Sequence, residues 1–332
     1  MGMVDAIGRF SLIDRIKCHT KDDGFAGAVY SGLSRASKSL PCIWLYDATG
    51  SNLFEAICDL PEYYLTRSER EILTSYAPEM IRGLPDDVTL VELGSGSAMK
   101  TRLLIEALLD KQETLRFTPI DISRTALEGS LNELLDSYPN LEIVAVAAEY
   151  QEGVAALKRE NSGPELILWL GSSIGNLTRL EAALFLENLR GEMSKEDRLL
   201  VGVDLRKSRE VLEPAYDDAA GVTAKFNRNV LARVNTELGG NFDLQGFDHL
   251  AHYNEEEGRI EMHLVSVRDQ KVTIEDLGLD VDFMKGERIH TENSYKYSLE
   301  EIDLLAKNAD LRVEGQWFDQ NQRFSLNLMA GQ

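Results

Sequence analysis

Residues 89–96 read Thr-Leu-Val-Glu-Leu-Gly-Ser-Gly, a short apolar run closed by an acid-x-Gly-x-Gly turn. A buried strand that ends in glycines can reverse sharply against a ligand, because glycine takes φ > 0 and carries no Cβ to obstruct it. The helix expected next presents unpaired N–H groups to whatever occupies the turn. The third position of a dinucleotide cradle is held by Met99 rather than glycine. That suits a pyrophosphate poorly and a ligand with a carboxylate and no phosphate better. Asp121 closes the next apolar run, where one carboxylate can accept from both hydroxyls of a ribose, and Glu149 stands near the end of the third, within reach of an adenine edge. A fourth run ends in Gly171-Ser172-Ser173-Ile174-Gly175-Asn176-Leu177-Thr178. Asn176 offers both a donor and an acceptor to an acceptor substrate, with capping of the following helix by Asn176 or Thr178 as the structural alternative.

These residues need a scaffold that brings strand ends together. Strands are expected at 89–94, 117–121, 141–146, 165–170 and 198–204, with helices at 98–110, 124–137 and 179–192 between them. Such alternation implies α/β architecture, a parallel sheet covered on both faces, with ligands at the carboxyl ends of its strands. A strand-Gly-x-Gly turn with an acid closing the second strand is the pattern of class I S-adenosylmethionine-dependent methyltransferases, and a nicotinamide-type site would need a better residue than Met99. Residues 208–296 break the rhythm with a helix at 222–238 and a hairpin at 249–267. A helix at 299–309 and strands at 311–318 and 324–330 then return to the first sheet with antiparallel strands. The expected organisation is discontinuous. A Rossmann-like domain takes 70–207 plus 297–332, and a second, α+β substrate-binding domain takes 1–69 plus 208–296.

Composition limits the partners. The 332 residues are 43% hydrophobic and 27% charged, as expected of a soluble globular protein. There is no apolar run of the roughly 18 residues a membrane span requires, and residues 1–17 do not read as a signal peptide. Lys and Arg number 35 against 56 Asp and Glu, a net charge of −21, which repels nucleic acid. Cys18, Cys42 and Cys58 lack Cys-x-x-Cys spacing, which fits a reducing cytoplasm without disulfides. His249 and His252 are three apart, but a structural role is favoured there and no metal is expected. No large apolar helix face is left unassigned, so a monomer is expected.

Beyond the glycine turn and the 171–176 loop, four further segments carry a family resemblance. They are Leu40-Pro41…Trp44-Leu45-Tyr46-Asp47, Leu60-Pro61-Glu62-Tyr63-Tyr64-Leu65-Thr66-Arg67, the run 215–227 from Ala-Tyr-Asp-Asp to Lys-Phe-Asn, and Thr291-Glu292-Asn293-Ser294. The chain resembles, over roughly residues 38–330, the ergothioneine-pathway histidine Nα-methyltransferase family, whose members make hercynine. The resemblance implies S-adenosylmethionine as cofactor and L-histidine as the small-molecule substrate. It places cofactor contacts at Tyr63, Gly94, Lys100, Asp121 and the pair Glu149-Tyr150, where the family usually has Asp-Phe. It assigns the amino acid's α-amino and carboxylate groups to Tyr46, Asn176 and Tyr216, with Tyr46 and Asn176 nearest the chemistry. The imidazole falls to Glu292 and Ser294, with Met262 alongside. Related fungal enzymes methylate tryptophan-type substrates. A buried carboxylate facing an indole without a matching donor would cost about 1–3 kcal/mol, so Glu292 and Met262 favour histidine. A non-catalytic cofactor-binding sensor is the alternative from another class, and intact polar pocket residues argue against it.

Overall fold

The computed structural model describes residues 8–14, 24–96, 98, 100–122, 124–148, 150, 152–153 and 163–332. The strands run in chain order β1 (Phe10–Asp14), β2 (Lys38–Ser39), β3 (Thr89–Leu93), β4 (Leu115–Asp121), β5 (Leu141–Ala147), β6 (Glu165–Trp169) and β7 (Arg198–Asp204). They continue as β8 (Phe247–Asn254), β9 (Arg259–Ser266), β10 (Gln270–Ile274), β11 (Leu279–Phe283), β12 (Arg288–Tyr295), β13 (Leu311–Phe318) and β14 (Phe324–Gly331). The helices are α1 (Phe25–Leu33), α2 (Ala48–Cys58), α3 (Leu65–Met80), α4 (Arg102–Lys111), α5 (Arg124–Ser137), α6 (Arg179–Glu192), α7 (Arg209–Tyr216), α8 (Val222–Leu238) and α9 (Leu299–Asn308). Among the described residues, no helix is long and apolar enough to cross a membrane.

The chain divides into two compact units, one drawn from Met1–Lys17, Leu65–Arg206 and Tyr297–Gln332, the other from Cys18–Tyr64 and Lys207–Lys296. The first unit holds an eight-stranded sheet in the order β1-β5-β4-β3-β6-β7-β14-β13. Its first six strands are parallel, and the β13–β14 hairpin joins β7 antiparallel. Leu90, Val91, Leu166, Ile167, Leu168, Leu200 and Val201 are almost wholly buried, as central strands covered on both faces require. The sheet order reverses beside β3, so the loops after β3 and β6 open at a switch point, the usual ligand position. Two capping boxes set helix starts, Thr178 with Glu181 for α6 and Ser298 with Glu301 for α9. Thr178, not Asn176, therefore caps the helix after the 171–176 loop.

The boundary differs from the one expected at the N-terminal side. Residues 1–69 were assigned to the substrate domain, yet β1 pairs in parallel with β5 and α3 begins at Leu65 within the first unit. Five residues with one fully inward side chain, Leu12, give little pattern. The pairing partner lies more than 130 positions away in sequence, so local periodicity cannot reveal it.

The second unit is built on the sheet β2-β12-β9-β8, antiparallel except for β2 on β12, with a separate β10–β11 ribbon. A register shift between His290 and Glu292 changes which face β12 presents. His290 sits opposite His263, while Glu292 sits opposite Met262. Neighbouring strand residues point to opposite faces, so the irregularity turns Glu292 to the Met262 face while leaving His290 on the other.

Candidate active site

In the first unit, the turn after β3 is shaped by three positive-φ residues, Gly94 at 70°, Gly96 at 49° and Ala98 at 51°. The Gly94 N–H donates to the Ile120 carbonyl at 2.8 Å, and the Gly96 N–H donates to Asp121 Oδ2 at 3.2 Å. Asp121 thus fixes the turn from the end of the neighbouring strand. A Cβ on Gly94 would lie 2.6 Å from the Tyr150 hydroxyl, so the tyrosine would have to shift, and the positive φ favours glycine in its own right. The Tyr150 ring meets Trp169 and Phe185 edge-on, at centroid distances of 6.4 and 6.1 Å. Glu149 lies outside the described residues.

Glu69 of α3, fully buried, ties the two glycine loops together. It pairs with the Lys100 ammonium beyond the first loop and accepts the Gly171 N–H of the second at 2.8 Å. Gly202 of β7 leaves it room, since a Cβ there would come within 2.2 Å of Glu69 Oε1. Gly202→Ala must push that carboxylate away from its partners. It is expected to cost about 1–3 kcal/mol, read as a lowered Tm in a calorimetric scan; an unchanged Tm would contradict this placement of Glu69.

Glu92 is also buried. Loss of water pushes its carboxyl up to about 8, against the opposing effects of the Thr101 hydroxyl and the Lys100 charge. Thr101 donates to Glu92 Oε1 at 2.6 Å, while Oε2 has no partner among the described residues. An unsatisfied buried acceptor invites a cationic donor. Two carboxyls (Asp121 and Glu92) and one ammonium (Lys100) around a glycine turn are complementary in kind to the hydroxyls, ammonium and carboxylate of S-adenosylmethionine.

Beyond β6, Ser172 takes φ 57° and its hydroxyl accepts the Asp204 N–H at 3.0 Å, which shapes a 3-10 turn over Ser173–Asn176. Asn176 ends that turn half-buried, and its amide makes no hydrogen bond among the described residues.

The second unit gathers an aromatic cluster. Asp47 caps α2 through the Gly50 N–H at 2.7 Å and accepts from Asn229 Nδ2 of α8 at 2.7 Å. This fixes the adjacent Tyr46, whose ring meets Phe54 and Phe226 edge-on at 5.5 and 5.3 Å. Tyr63 lies 6.2 Å from Phe54 and 6.1 Å from Tyr216. Burial, reinforced by Tyr216, Cys58, Tyr46 and Glu292, drives its hydroxyl well above the usual tyrosine range. Tyr63, expected among the cofactor contacts, belongs to this aromatic cluster of the second unit.

Glu292 and Met262 face one another across β12 and β9, both buried. Glu292 is pushed up to about 7 by burial, opposed by the Lys296 charge, and its Oε2 has no partner among the described residues. Ser294 was expected to address the imidazole. Its hydroxyl is bonded to the Tyr216 hydroxyl at 2.8 Å and accepts from Lys296 Nζ at 2.8 Å.

Glu69 and Lys296 were missed by sequence reasoning. Glu69 interrupts the apolar stripe of α3 between Leu65 and Ile72, and an acid on a core-facing stripe is the available signal. Lys296 extends the alternation Glu292-x-Ser294-x-Lys296, a charged position where a strand would otherwise turn an apolar residue inward.

On the opposite face, His252, Glu261 and His263 bring possible ligand atoms within 4.8 Å of one another. The His252 and His263 rings are stacked, their planes 23° apart, so their lone pairs run side by side rather than converging on one ion. Glu261 is already paired with Arg259 at 2.8 Å.

The parallel sheet, its glycine turn at the switch point and the acid closing β4 define a class I, Rossmann-like S-adenosylmethionine-dependent methyltransferase. Residues 25–331 match the family model described as histidine-specific methyltransferase, SAM-dependent, and the chain belongs to that family. It is 43% identical over 318 residues to the histidine N-alpha-methyltransferase of Mycolicibacterium smegmatis, covering 96% of this chain and 98% of that one. It is 35% identical to ergothioneine biosynthesis protein 1 of Neurospora crassa, over 88% of this chain and 33% of that one. An L-tryptophan methyltransferase of Psilocybe serbica is 30% identical, over 90% of each chain.

Proposed function

We propose that this chain methylates the α-amino nitrogen of L-histidine three times, giving the betaine hercynine for ergothioneine biosynthesis. The observation that carries the substrate is Glu292, a buried carboxylate with an oxygen that has no partner among the described residues, close enough to the aromatic cluster to act on Tyr63. An imidazole N–H satisfies it, whereas an aliphatic side chain would leave it buried without a donor. When bound, S-adenosylmethionine supplies a methyl group activated by its sulfonium. Asp121, Lys100, Gly94, Tyr63 and Tyr150 are assigned to holding it, with Glu149 assigned to the adenine.

Tyr216 and Asn176 orient the amino acid's carboxylate, and Tyr46 hydrogen-bonds the nitrogen and relays its proton to water. Met262 lies beside the ring. A free amine with a pKa around 9 is mostly protonated at neutral pH, so exclusion of water by Tyr46, Phe54, Tyr63 and Phe226 helps to free the lone pair. The same aromatic faces suit the quaternary cation of the product, which no longer donates N–H. The reading takes the chain as a cytoplasmic monomer that needs no nucleic acid or membrane.

The test is a single incubation of protein, excess cofactor and an equimolar mixture of the twenty amino acids, followed by mass spectrometry. Histidine gaining three methyl groups, with no comparable change elsewhere, is expected. Methylated tryptophan would keep the reaction and overturn the role given to Glu292. Bound cofactor with no methylated amino acid would overturn the substrate class.

A further inference from the structure

The second unit buries a lysine completely. Lys296 is 0% exposed, yet a lysine ammonium is rarely taken from water without partners of equal strength. Its Nζ donates to the Tyr216 hydroxyl at 2.7 Å and to the Ser294 hydroxyl at 2.8 Å, and it lies 4.6 Å from the centre of the Tyr216 ring. The two hydroxyls are themselves bonded at 2.8 Å. Lys296 also acts on Glu292, where its charge opposes the effect of burial.

This geometry sets the direction of each hydrogen bond. An ammonium can only donate, so both oxygens must accept from it. One of the two hydroxyl protons is then used between Tyr216 and Ser294, and the other is directed outside the trio. The outward group of the trio is therefore an O–H donor, polarised by an adjacent positive charge, and suits an anionic acceptor. Without the ammonium, each hydroxyl could rotate and present a lone pair instead.

We infer that Lys296 is the positioning residue of the amino-acid site: it orients the Tyr216–Ser294 pair so that its one outward O–H donates toward a carboxylate-bearing substrate, and it supplies the counter-charge that lets Glu292 accept an N–H. This rests on the assignment of Tyr216 and Glu292 to the amino acid. It adds that the neutral hydroxyls facing the substrate are backed by a buried positive charge, so recognition of the carboxylate is charge-assisted at one remove. An acceptor lacking the carboxylate, such as histamine, should keep the gain made through Glu292 and lose the gain made through the Tyr216–Ser294 pair.

The test compares the wild type with Lys296→Met, which keeps the volume and removes the charge, and with Lys296→Arg. Methylation of histidine by the wild type is measured first, since its absence would remove the underlying assignment rather than this inference. For Lys296→Met, the KM for histidine is expected to rise about 10- to 100-fold, as for loss of a charge-assisted network, with cofactor affinity unchanged by calorimetry. The acid limb of kcat/KM should move to higher pH, because Glu292 loses the charge that favours its ionised form. Lys296→Arg should restore part of the loss, and the ratio of histidine to histamine turnover should fall for Lys296→Met. An unmoved pH limb with an unchanged histidine-to-histamine ratio would overturn the inference, whatever the effect on stability. If Lys296→Met does not fold, Lys296→Gln, which also removes the charge, decides it by the same two readouts, with an unmoved pH limb and an unchanged histidine-to-histamine ratio counting against.

Discussion

Asp121→Ala is expected to weaken S-adenosylmethionine binding by about 100-fold or more, the size of losing hydrogen bonds to a charged acceptor. The carboxylate has two tasks that a single truncation removes. It accepts the Gly96 N–H at 3.2 Å and so fixes the glycine turn. It also stands at the end of β4 beside the switch point, where the proposed reading puts the cofactor's diol. Asp121→Asn separates the tasks, since its amide oxygen can keep the Gly96 bond while the charge is lost. The Asn variant should fall between wild type and Ala in titration calorimetry, with the fold unchanged by circular dichroism. Wild-type affinity in the Ala variant would show that the diol is held elsewhere.

The second large effect falls on the substrate. Glu292→Ala is expected to lower kcat/KM for histidine by about 100- to 1,000-fold, mostly through KM, and to narrow the preference for histidine over tryptophan. On the proposed reading, removing the carboxylate leaves the imidazole N–H without its acceptor and leaves space beside Met262 for a larger ring. The pH dependence gives an independent reading. With its carboxyl raised to about 7 by burial, Glu292 becomes ionised as pH rises through neutrality, so activity should climb over that range. Glu292→Gln should lose this limb and retain only the one set by the substrate amine. Stability should show the opposite slope. Between the ordinary carboxyl value of 4.5 and about 7, the folded chain keeps a proton that the unfolded chain releases. The wild type therefore loses stability as pH rises through that window. Glu292→Gln should gain about 1–3 kcal/mol relative to wild type on going from pH 5 to pH 8. Denaturant titrations at the two pH values measure it, and a constant difference would mean that Glu292 ionises normally. Glu92, pushed up to about 8, tilts both proteins in the same sense and cancels in the comparison.

Much of the first unit was legible because its signals are local. The strands β3, β6 and β7 are apolar runs of five to seven residues, and their length, flanking glycines and alternation with helices leave one common architecture. The glycine turn and Asp121 adjoin those runs, so their place at strand ends followed from one-dimensional spacing. Tyr46, Tyr216, Met262 and Glu292, the residues proposed for the amino acid, are singled out only by the joint family pattern. Any one of them alone is indistinguishable from a core aromatic, a core methionine or a strand acid.

The amino-acid sequence by itself determined the parallel sheet, its cofactor turn and the class of reaction, because strand periodicity and glycine conformational freedom are properties of neighbours in the chain. Tertiary structure decided where β1 pairs, which loops Glu69 joins, which face Glu292 takes after the β12 irregularity, and why Lys296 is buried. Each of these depends on a partner far away in sequence: β5 for β1, Lys100 and Gly171 for Glu69, Met262 for Glu292, and Tyr216 for Lys296. A buried charge is stable only where distant groups converge to satisfy it, and no local pattern records that convergence.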